Sequence, residues 1–537
     1  MRRSQSSLLG TLAIIGILLF IATNVWPSLS GAKDKAVINE TRPAVTKHAA
    51  ISAAEDYTAR LNGNTKVRGT IAIYQSDKLL SGYVQKNGLV HGYKDHFAEN
   101  VPIDFYRVEL AAEGKTVYKV DVNMTNGSVL GWQKRSSGSA PSVRDGRLIA
   151  ETYLQQAGIP LEGLQMLIPN TTKPYQFAFE HRGVKLGEAK LREIVEIRDG
   201  EVTAYRKELL VPKSHTDWVG KQDRAASTMT RWNMIVSVIM GMAAIALMIT
   251  RRKQIAFVRG LWLTFTFLVL YWINNWNMLP AFKSLETDTI DPFLASDTTG
   301  GMMILMNIVV AVMGAVGYFS LAAGQPLWQD RGLHLWPRWR EDGFGEDVLA
   351  GMKRGYLLAC FLLGLQSLLF FIAEQRFDMW AVNDPSGSMY NLLKPELFPL
   401  MAWTAAISEE AIYRFFGIAL FRRLLPSTFL AVLVPSMIWA FSHTQYPIYP
   451  VYTRFIEVTV LGVVFGYAFL KFGFATVLFA HAIMDSLLMS LSLMNMGGFD
   501  DVALGLFYII LPAIVAWTIW RLHRNFRGRR SIHAPPG

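Results

Sequence analysis

The sequence predicts a polytopic α-helical membrane protein of about ten spans, with an α+β domain exported between the first and second spans. Three observations carry this. First, the 51% hydrophobic content and mean hydropathy of +0.23 average two unlike regions. Residues 28–230 read as water-soluble, and much of the rest is a series of apolar runs about 20 residues long, the length that crosses a bilayer. Second, Lys and Arg gather beside those runs, so the net charge of +11 carries topology rather than a nucleic-acid footprint. Third, the polar region holds two hairpin signals, Asn126-Gly127 and Asp199-Gly200, between alternating apolar residues.

In chain order, MRRSQSS is basic and Leu8 to Trp26 is almost wholly apolar, which reads as a signal-anchor helix with its N-terminus in the cytoplasm. The small residues of SLSGA leave a cleaved signal peptide as the alternative. The exported segment shows one pattern twice. AAISAAEDYTARL has helical spacing, and the later VYKVDVNMTNGSVLGW alternates and turns at Asn126-Gly127. Such a turn needs positive φ at both central residues. RLIAETYLQQAG then repeats the helix and LREIVEIRDGEVTAYRKEL the hairpin. No paired catalytic residues stand out here, so binding or regulation is expected. The single cysteine, Cys360, lies in an apolar run, which excludes a disulfide and Cys–Cys metal motifs.

Apolar runs follow at about 232–250, 256–280, 302–323, 355–373, 397–421, 428–445, 455–470, 473–495 and 502–520. With the first helix these make about ten spans. In that count Arg251-Arg252-Lys253, the loop holding Arg331, Arg338 and Arg340, Arg422-Arg423, Lys471 and the tail RLHRNFRGRR all fall in the cytoplasm. The acidic loop SLETDTIDPFLASD and the loop EQRFDMWAVNDPSGS fall outside. Gly462 and Gly466 form a small-xxx-small pair that reads as close helix packing.

Four polar clusters interrupt the last third: EEAIYR with Glu409, Glu410 and Arg414; WAFSH ending in His443; and, the third and fourth carried together in FAHAIMD, His481 and Asp485. Ionisable groups in hydrocarbon cost at least a few kcal/mol each, so their accumulation marks function. Glu410 and Arg414 are four apart on one helix face, a spacing that predicts an ion pair between them. Glu409, rotated about 100° away, is free to act as a base. His481 and Asp485 are also four apart and share a face, as a ligand or oxyanion-stabilising pair or as a structural hydrogen bond. Glu457 is a lone acid in its run.

EExxxR, an aromatic-xxx-His and HxxxD on successive helices resemble the CPBP family, also called Abi, which includes the type II CaaX prenyl endopeptidases. The likeness covers roughly residues 395–495, with Trp439 where Phe is usual and Asp485 where the prenyl endopeptidases have Asn. It implies an intramembrane endopeptidase, a hydrolase, in which Glu409 activates water. His443, His481 and Asp485 form an oxyanion or metal site, supported by Glu410 and Arg414. The implied metal, Zn²⁺, would be held by Glu409, His443, His481 and Asp485. No HExxH is present. The stretch YKVDVNMTNGSVLGW separately resembles the hairpin of PepSY-type modules.

The expected organisation is a signal-anchor at 1–27, an extracytoplasmic α+β region with two PepSY-like repeats at 28–230, and membrane helices at 231–380. A catalytic membrane core at 381–500 and a last helix with a basic cytoplasmic tail at 501–537 complete it. The expected partners are a peptide or protein substrate at the cell membrane and the lipid bilayer, with no nucleic acid. An ion-coupled transporter is the alternative, since intramembrane Glu, His and Asp also make proton relays; a non-catalytic scaffold or sensor is another.

Overall fold

The computed structural model describes residues 2–25, 40–61, 67–112, 117–134, 139–168, 172–286 and 298–532. The SLSGA segment and residues 287–297 of the acidic loop lie outside the described residues. α1 (Arg2–Phe20) continues into a π-helical turn at Ile21–Val25. The following region forms α2 (Lys47–Leu61), β1 (Val67–Ser76), α3 (Lys78–Lys86), α4 (Val90–His96), β2 (Asp104–Ala112), β3 (Val117–Asn123), β4 (Val129–Lys134) and α5 (Val143–Gln156). β5 (Leu164–Met166), β6 (Gln176–Leu186), β7 (Ala189–Arg198) and β8 (Glu201–Leu210) follow.

The two helix-and-hairpin patterns fuse into one antiparallel sheet of order β1-β2-β3-β4-β8-β7-β6-β5. Each pattern contributes a helix and a four-stranded meander, and the two meanders join through their last strands, Gly131–Gln133 opposite Ala204–Arg206. Ala50 and Ala54 of α2 pack on Val108, Val120 and Val122; Ala150 and Leu154 of α5 pack on Phe177 and Val195. Alanine lets each helix approach the sheet closely. Asp199-Gly200 turns with positive φ at both residues, 51° and 78°, as expected. At Asn126-Gly127 only Gly127 is positive, at 75°, because this turn is longer, with the Gly127 amide donating to the Asn123 carbonyl at 3.0 Å and the Asn123 amide to the Ser128 carbonyl at 2.8 Å. α3 and α4, which no pattern in the sequence announced, build a separate core with Leu186, Leu191 and Leu209.

The remaining helices are α6 (Lys213–Thr250), α7 (Leu261–Asn277), α8 (Leu279–Glu286), α9 (Thr298–Gln329) and α10 (Phe344–Phe377). α11 (Met401–Glu409) leads through a π-helical segment, Glu410–Ile418, into α12 (Ala419–Leu424). α13 (Thr428–Ser442), α14 (Val451–Phe472), α15 (Phe474–Met494) and α16 (Phe499–Ile532) complete the chain, with a short ribbon pairing Trp380–Ala381 with Ile448–Tyr449. Seven described helices are long and apolar enough to cross a membrane: those at Ser7–Asn24, Lys213–Thr250, Gly300–Gln329, Phe344–Phe377, Val451–Phe472, Phe474–Met494 and Phe499–Phe526. The three other expected spans coincide with α7 of 17 residues, the apolar α13 of 15, and the continuous α11–π–α12 run, which is divided into elements of 9, 9 and 6 residues. α6, at 38 residues, extends about 57 Å, well beyond a hydrocarbon core of about 30 Å. Its first turns extend past that thickness and pack on α3 and on the ribbon, with Lys78 pairing Asp223 at 2.9 Å and Val219 and Ala226 clustered with Trp380 and Tyr449.

Glycine sets the closest helix contacts. A Cβ at Gly364 of α10 would lie 2.0 Å from the Gly16 carbonyl oxygen of α1. At Gly462 it would lie 2.8 Å from Ser436 Cβ and 3.0 Å from Trp439 Cε3, so this pair is a packing feature between α13 and α14. The basic segments meet at one end of the bundle. Arg251 pairs with Asp330, Arg331 Nη2 donates to the Arg422 carbonyl at 2.5 Å, and the Phe474 amide donates to the Leu335 carbonyl at 2.8 Å.

Candidate active site

The run expected as one α-helix over 397–421 widens to π geometry from Glu410, within the EExxxR motif itself. This corrects the 100° spacing assumed above, because a π-helix advances less per residue. Such segments cluster at functional sites. Widening disturbs the backbone ladder, and the Phe415 carbonyl is taken by the buried indole of Trp328, whose Nε1 donates at 2.7 Å. Tyr413 anchors the same segment to α6. Its hydroxyl accepts from Asn233 Nδ2 at 2.9 Å and lies 3.2 Å from Ser237 Oγ, while Asn233 also donates to the Ile438 carbonyl at 2.6 Å. Asn233 thus ties α6 to two motif-bearing elements, the π-helical segment and α13. An Asn inside an apolar run was the signal that could have found it.

Glu410 and Arg414 lie 3.1 Å apart, 0% and 2% exposed at the side chain. This is an ion pair without the angle of a hydrogen bond, because the guanidinium lies over the Trp439 ring, 3.9 Å from its centroid. A cation over an indole face gains from the ring quadrupole, the more so when desolvated. Glu410 has a second task. Its Oε1 is 2.8 Å from His481 Nδ1, and because an ionised carboxylate only accepts, Nδ1 carries the hydrogen. His481 therefore turns Nε2 away from Glu410, toward Asp485 Oδ2 at 3.5 Å and Glu409 Oε2 at 3.8 Å. Glu409 and Asp485 keep 22% and 24% of their side-chain surface, against 5% for His481, so the accessible edge of the cluster is the pair of carboxylates facing Nε2.

Trp439 proves more than an apolar wall. Its Nε1 donates to Glu409 Oε2, a contact that Phe cannot make, and its ring meets His481 and His443 edge-on at 5.8 and 4.9 Å. Gly462 leaves room for that indole. His443 caps the C-terminal end of α13. Its Nδ1 lies 3.1 Å from the Trp439 carbonyl and 3.0 Å from Ser442 Oγ, whose own hydrogen goes to the same carbonyl. Nδ1 is therefore the donor, and a neutral His443 presents an acceptor at Nε2. The two histidines differ in kind: His481, set among three carboxylates, donates from Nε2 as well as Nδ1 as an imidazolium, and a neutral His443 offers an acceptor.

Among the described residues, no group of three or more His, Cys, Asp or Glu side chains is arranged to hold a metal ion. Glu409 and Asp485 point at His481 Nε2 rather than at a shared vacant point, and His443 Nδ1 is turned back on its own helix. In this arrangement the donor set does not fit Zn²⁺.

Residues 392–487 match the family model described as Type II CAAX prenyl endopeptidase Rce1-like. The chain is 22% identical over 311 residues to the sporulation-killing factor biosynthesis protein SkfC of Bacillus subtilis (strain 168). That alignment spans 57% of this chain and 60% of the relative. No solved structure matches the chain. The C-terminal region is thus similar to the type II CAAX prenyl endopeptidases, as its motifs predict, and the matched segment contains every residue of the cluster from Glu409 to Asp485.

Proposed function

We propose that this membrane protein, whose C-terminal region is similar to the type II CAAX prenyl endopeptidases, is an intramembrane endopeptidase. It hydrolyses a peptide bond of a peptide or protein at the membrane. The observation that carries the reading is one imidazole set between carboxylates: His481, held at Nδ1 by Glu410, with Nε2 facing Glu409 and Asp485. Glu409 takes a proton from a water, and the resulting hydroxide attacks the scissile carbonyl carbon. The carbonyl π pair moves to oxygen, where the Nε2–H of the His481 imidazolium, whose charge is matched by Glu410 at Nδ1, stabilises the oxyanion. Asp485 orients that hydrogen before attack. His443 accepts from the attacking water through Nε2. Collapse of the tetrahedral intermediate breaks the C–N bond, and Glu409 returns its proton to the leaving nitrogen, giving a carboxylate and an amine. Glu410 and Arg414 hold the machinery in place.

The ten-span topology belongs to the same reading. The seven long helices are joined by α7, the α11–π–α12 run and α13, with residues 28–230 outside and the C-terminal tail in the cytoplasm. The exported domain, PepSY-like in its hairpins, selects substrates or regulates turnover. The similarity to a protein named for the biosynthesis of a sporulation-killing factor supports a maturation substrate alongside a prenylated one. A Zn²⁺ held by Glu409, His443, His481 and Asp485 would require those side chains to turn toward a common point. Stoichiometric zinc in the purified protein, with cleavage lost to a chelator and restored by Zn²⁺, would establish it; turnover without bound metal would dismiss it.

The deciding experiment measures cleavage of membrane-inserted peptides in liposomes by the wild type, Glu409→Gln and His481→Ala. A loss on the order of 10²-fold to 10⁴-fold is expected for each variant. Cleavage that is unchanged in both sinks the assignment.

A further inference from the structure

A second buried ion pair lies outside the four clusters. Arg454 Nη1 and Glu457 Oε2 of α14 are 2.5 Å apart, with side chains 13% and 3% exposed. Glu457 Oε1 accepts from Gln366 Nε2 of α10 at 2.9 Å. Both carboxylate oxygens of Glu457 are thereby occupied, so it is not a free base. Arg454 Nε is buried without a hydrogen-bond partner among the described residues. Its guanidinium instead lies over the Tyr446 ring, 5.2 Å from the centroid.

Tyr446 is in turn stacked on His443, with centroids 6.0 Å apart and planes inclined by 20°. The imidazole also meets Trp439 edge-on, and Trp439 donates to Glu409. The chain of contacts runs Gln366–Glu457–Arg454–Tyr446–His443–Trp439–Glu409. Polar groups in an apolar interior are kept only where they are paired. This pair sits where its cation braces an aromatic lid on a site imidazole.

We propose that Arg454, held by Glu457 and Gln366, is a positioning residue. It presses the Tyr446 ring onto His443 and so fixes the imidazole plane that presents Nε2 to the attacking water. The inference rests on the endopeptidase reading for its kinetic consequence, but its structural content does not. Arg454 acts through Tyr446, so loss of the brace lowers kcat and spares KM.

The test compares Tyr446→Phe, Tyr446→Leu, Arg454→Lys and Arg454→Ala in the full-length protein. Tyr446→Phe keeps the ring stack and Arg454→Lys keeps the cation, so both retain kcat within about threefold. Tyr446→Leu and Arg454→Ala lose about tenfold to hundredfold in kcat, the scale of a misplaced catalytic group, with KM little changed. A rise in KM at constant kcat would make Arg454 a substrate contact and overturn the proposal, as would full activity in Tyr446→Leu. If Arg454→Ala fails to fold, Tyr446→Leu, at a 55% exposed position, tests the same contact. A second readout needs no turnover: the rate at which diethyl pyrocarbonate modifies His443, followed by mass spectrometry. It rises in Tyr446→Leu and not in Tyr446→Phe; equal rates in the wild type and Tyr446→Leu overturn the proposal. A wild type without Glu409-dependent cleavage would overturn the peptidase reading alone and leave the labelling to judge this one.

Discussion

Glu410 serves two groups at once, the Arg414 guanidinium and the His481 ring. Removing its carboxylate strands a buried cation, which costs about 3–5 kcal/mol. Glu410→Ala is therefore expected to lower the thermal unfolding temperature markedly and to lose activity with the fold. Glu409→Gln, at a partly exposed position, is expected to unfold close to the wild type while turnover is lost. Circular dichroism melts in detergent, set beside liposome cleavage, separate the two residues that share one dipeptide. The sequence alone showed the four-residue spacings that become the 3.1 Å Glu410–Arg414 pair and the 3.5 Å His481–Asp485 contact, because those are local to one helix. It could not show that Glu410 also reaches His481, 71 residues away, or that Trp439 donates to Glu409. Such contacts depend on which helix faces which.

At the scale of elements, the π-helical segment and the glycine contacts decide how near the site's helices come. Gly364 has no room for a Cβ against Gly16, so Gly364→Leu must push α1 off α10. Overpacking of this kind costs about 1–3 kcal/mol or more, and faster proteolysis of the N-terminal helix in the variant would report it. Gly462→Ala is a subtler probe. Its methyl presses on Trp439 Cε3 and Ser436, which shifts the indole that holds Glu409. The expected result is lower kcat with little loss of stability, checked by steady-state kinetics beside a melt. The small-xxx-small pair was legible as packing. The π geometry was not, since neither periodicity nor motif spacing distinguishes 3.6 from a wider repeat over nine residues.

Across the whole molecule, the N-terminal α+β domain is tied to the segment that leads into α11. Fully buried Asn391 accepts from the Tyr74 amide at 2.8 Å and donates to its carbonyl at 2.9 Å, serving the open edge of β1 as a neighbouring strand would. Asn391→Ala leaves that backbone pair unsatisfied, a cost of about 1–3 kcal/mol, which hydrogen exchange at Tyr74 would register. Beside it Glu40 hydrogen-bonds Ser388, and Asp104 accepts from the Tyr74 hydroxyl at 2.8 Å. Burial raises the Glu40 carboxyl from 4.5 to about 6; the Ser388 bond opposes this and the Asp104 charge adds to it. A carboxyl raised on folding disfavours the docked state when ionised, so docking is weakest above about pH 6 and strengthens as pH falls through 6 toward 4.5. Exchange at Tyr74 is expected to be slower at pH 5 than at pH 7.5 after correction for intrinsic rates. Glu40→Gln should abolish that difference; a difference that persists would remove Glu40 as its source.

Local pattern was enough to set out the seven long apolar helices, the positions of the two hairpin turns and the polar residues of the last third. Hydropathy, glycine turns and i, i+4 spacing are written in neighbouring residues. Packing between segments distant in the chain decided the rest. It fused two meanders into one sheet, docked that sheet beside the entry to α11, widened the EExxxR helix, and aimed two similar-looking histidines in chemically opposite ways. Those outcomes depend on which buried groups find partners across the bundle, and a donor such as the Trp439 indole or an acceptor such as Glu410 is assigned only when the opposing helix is in place.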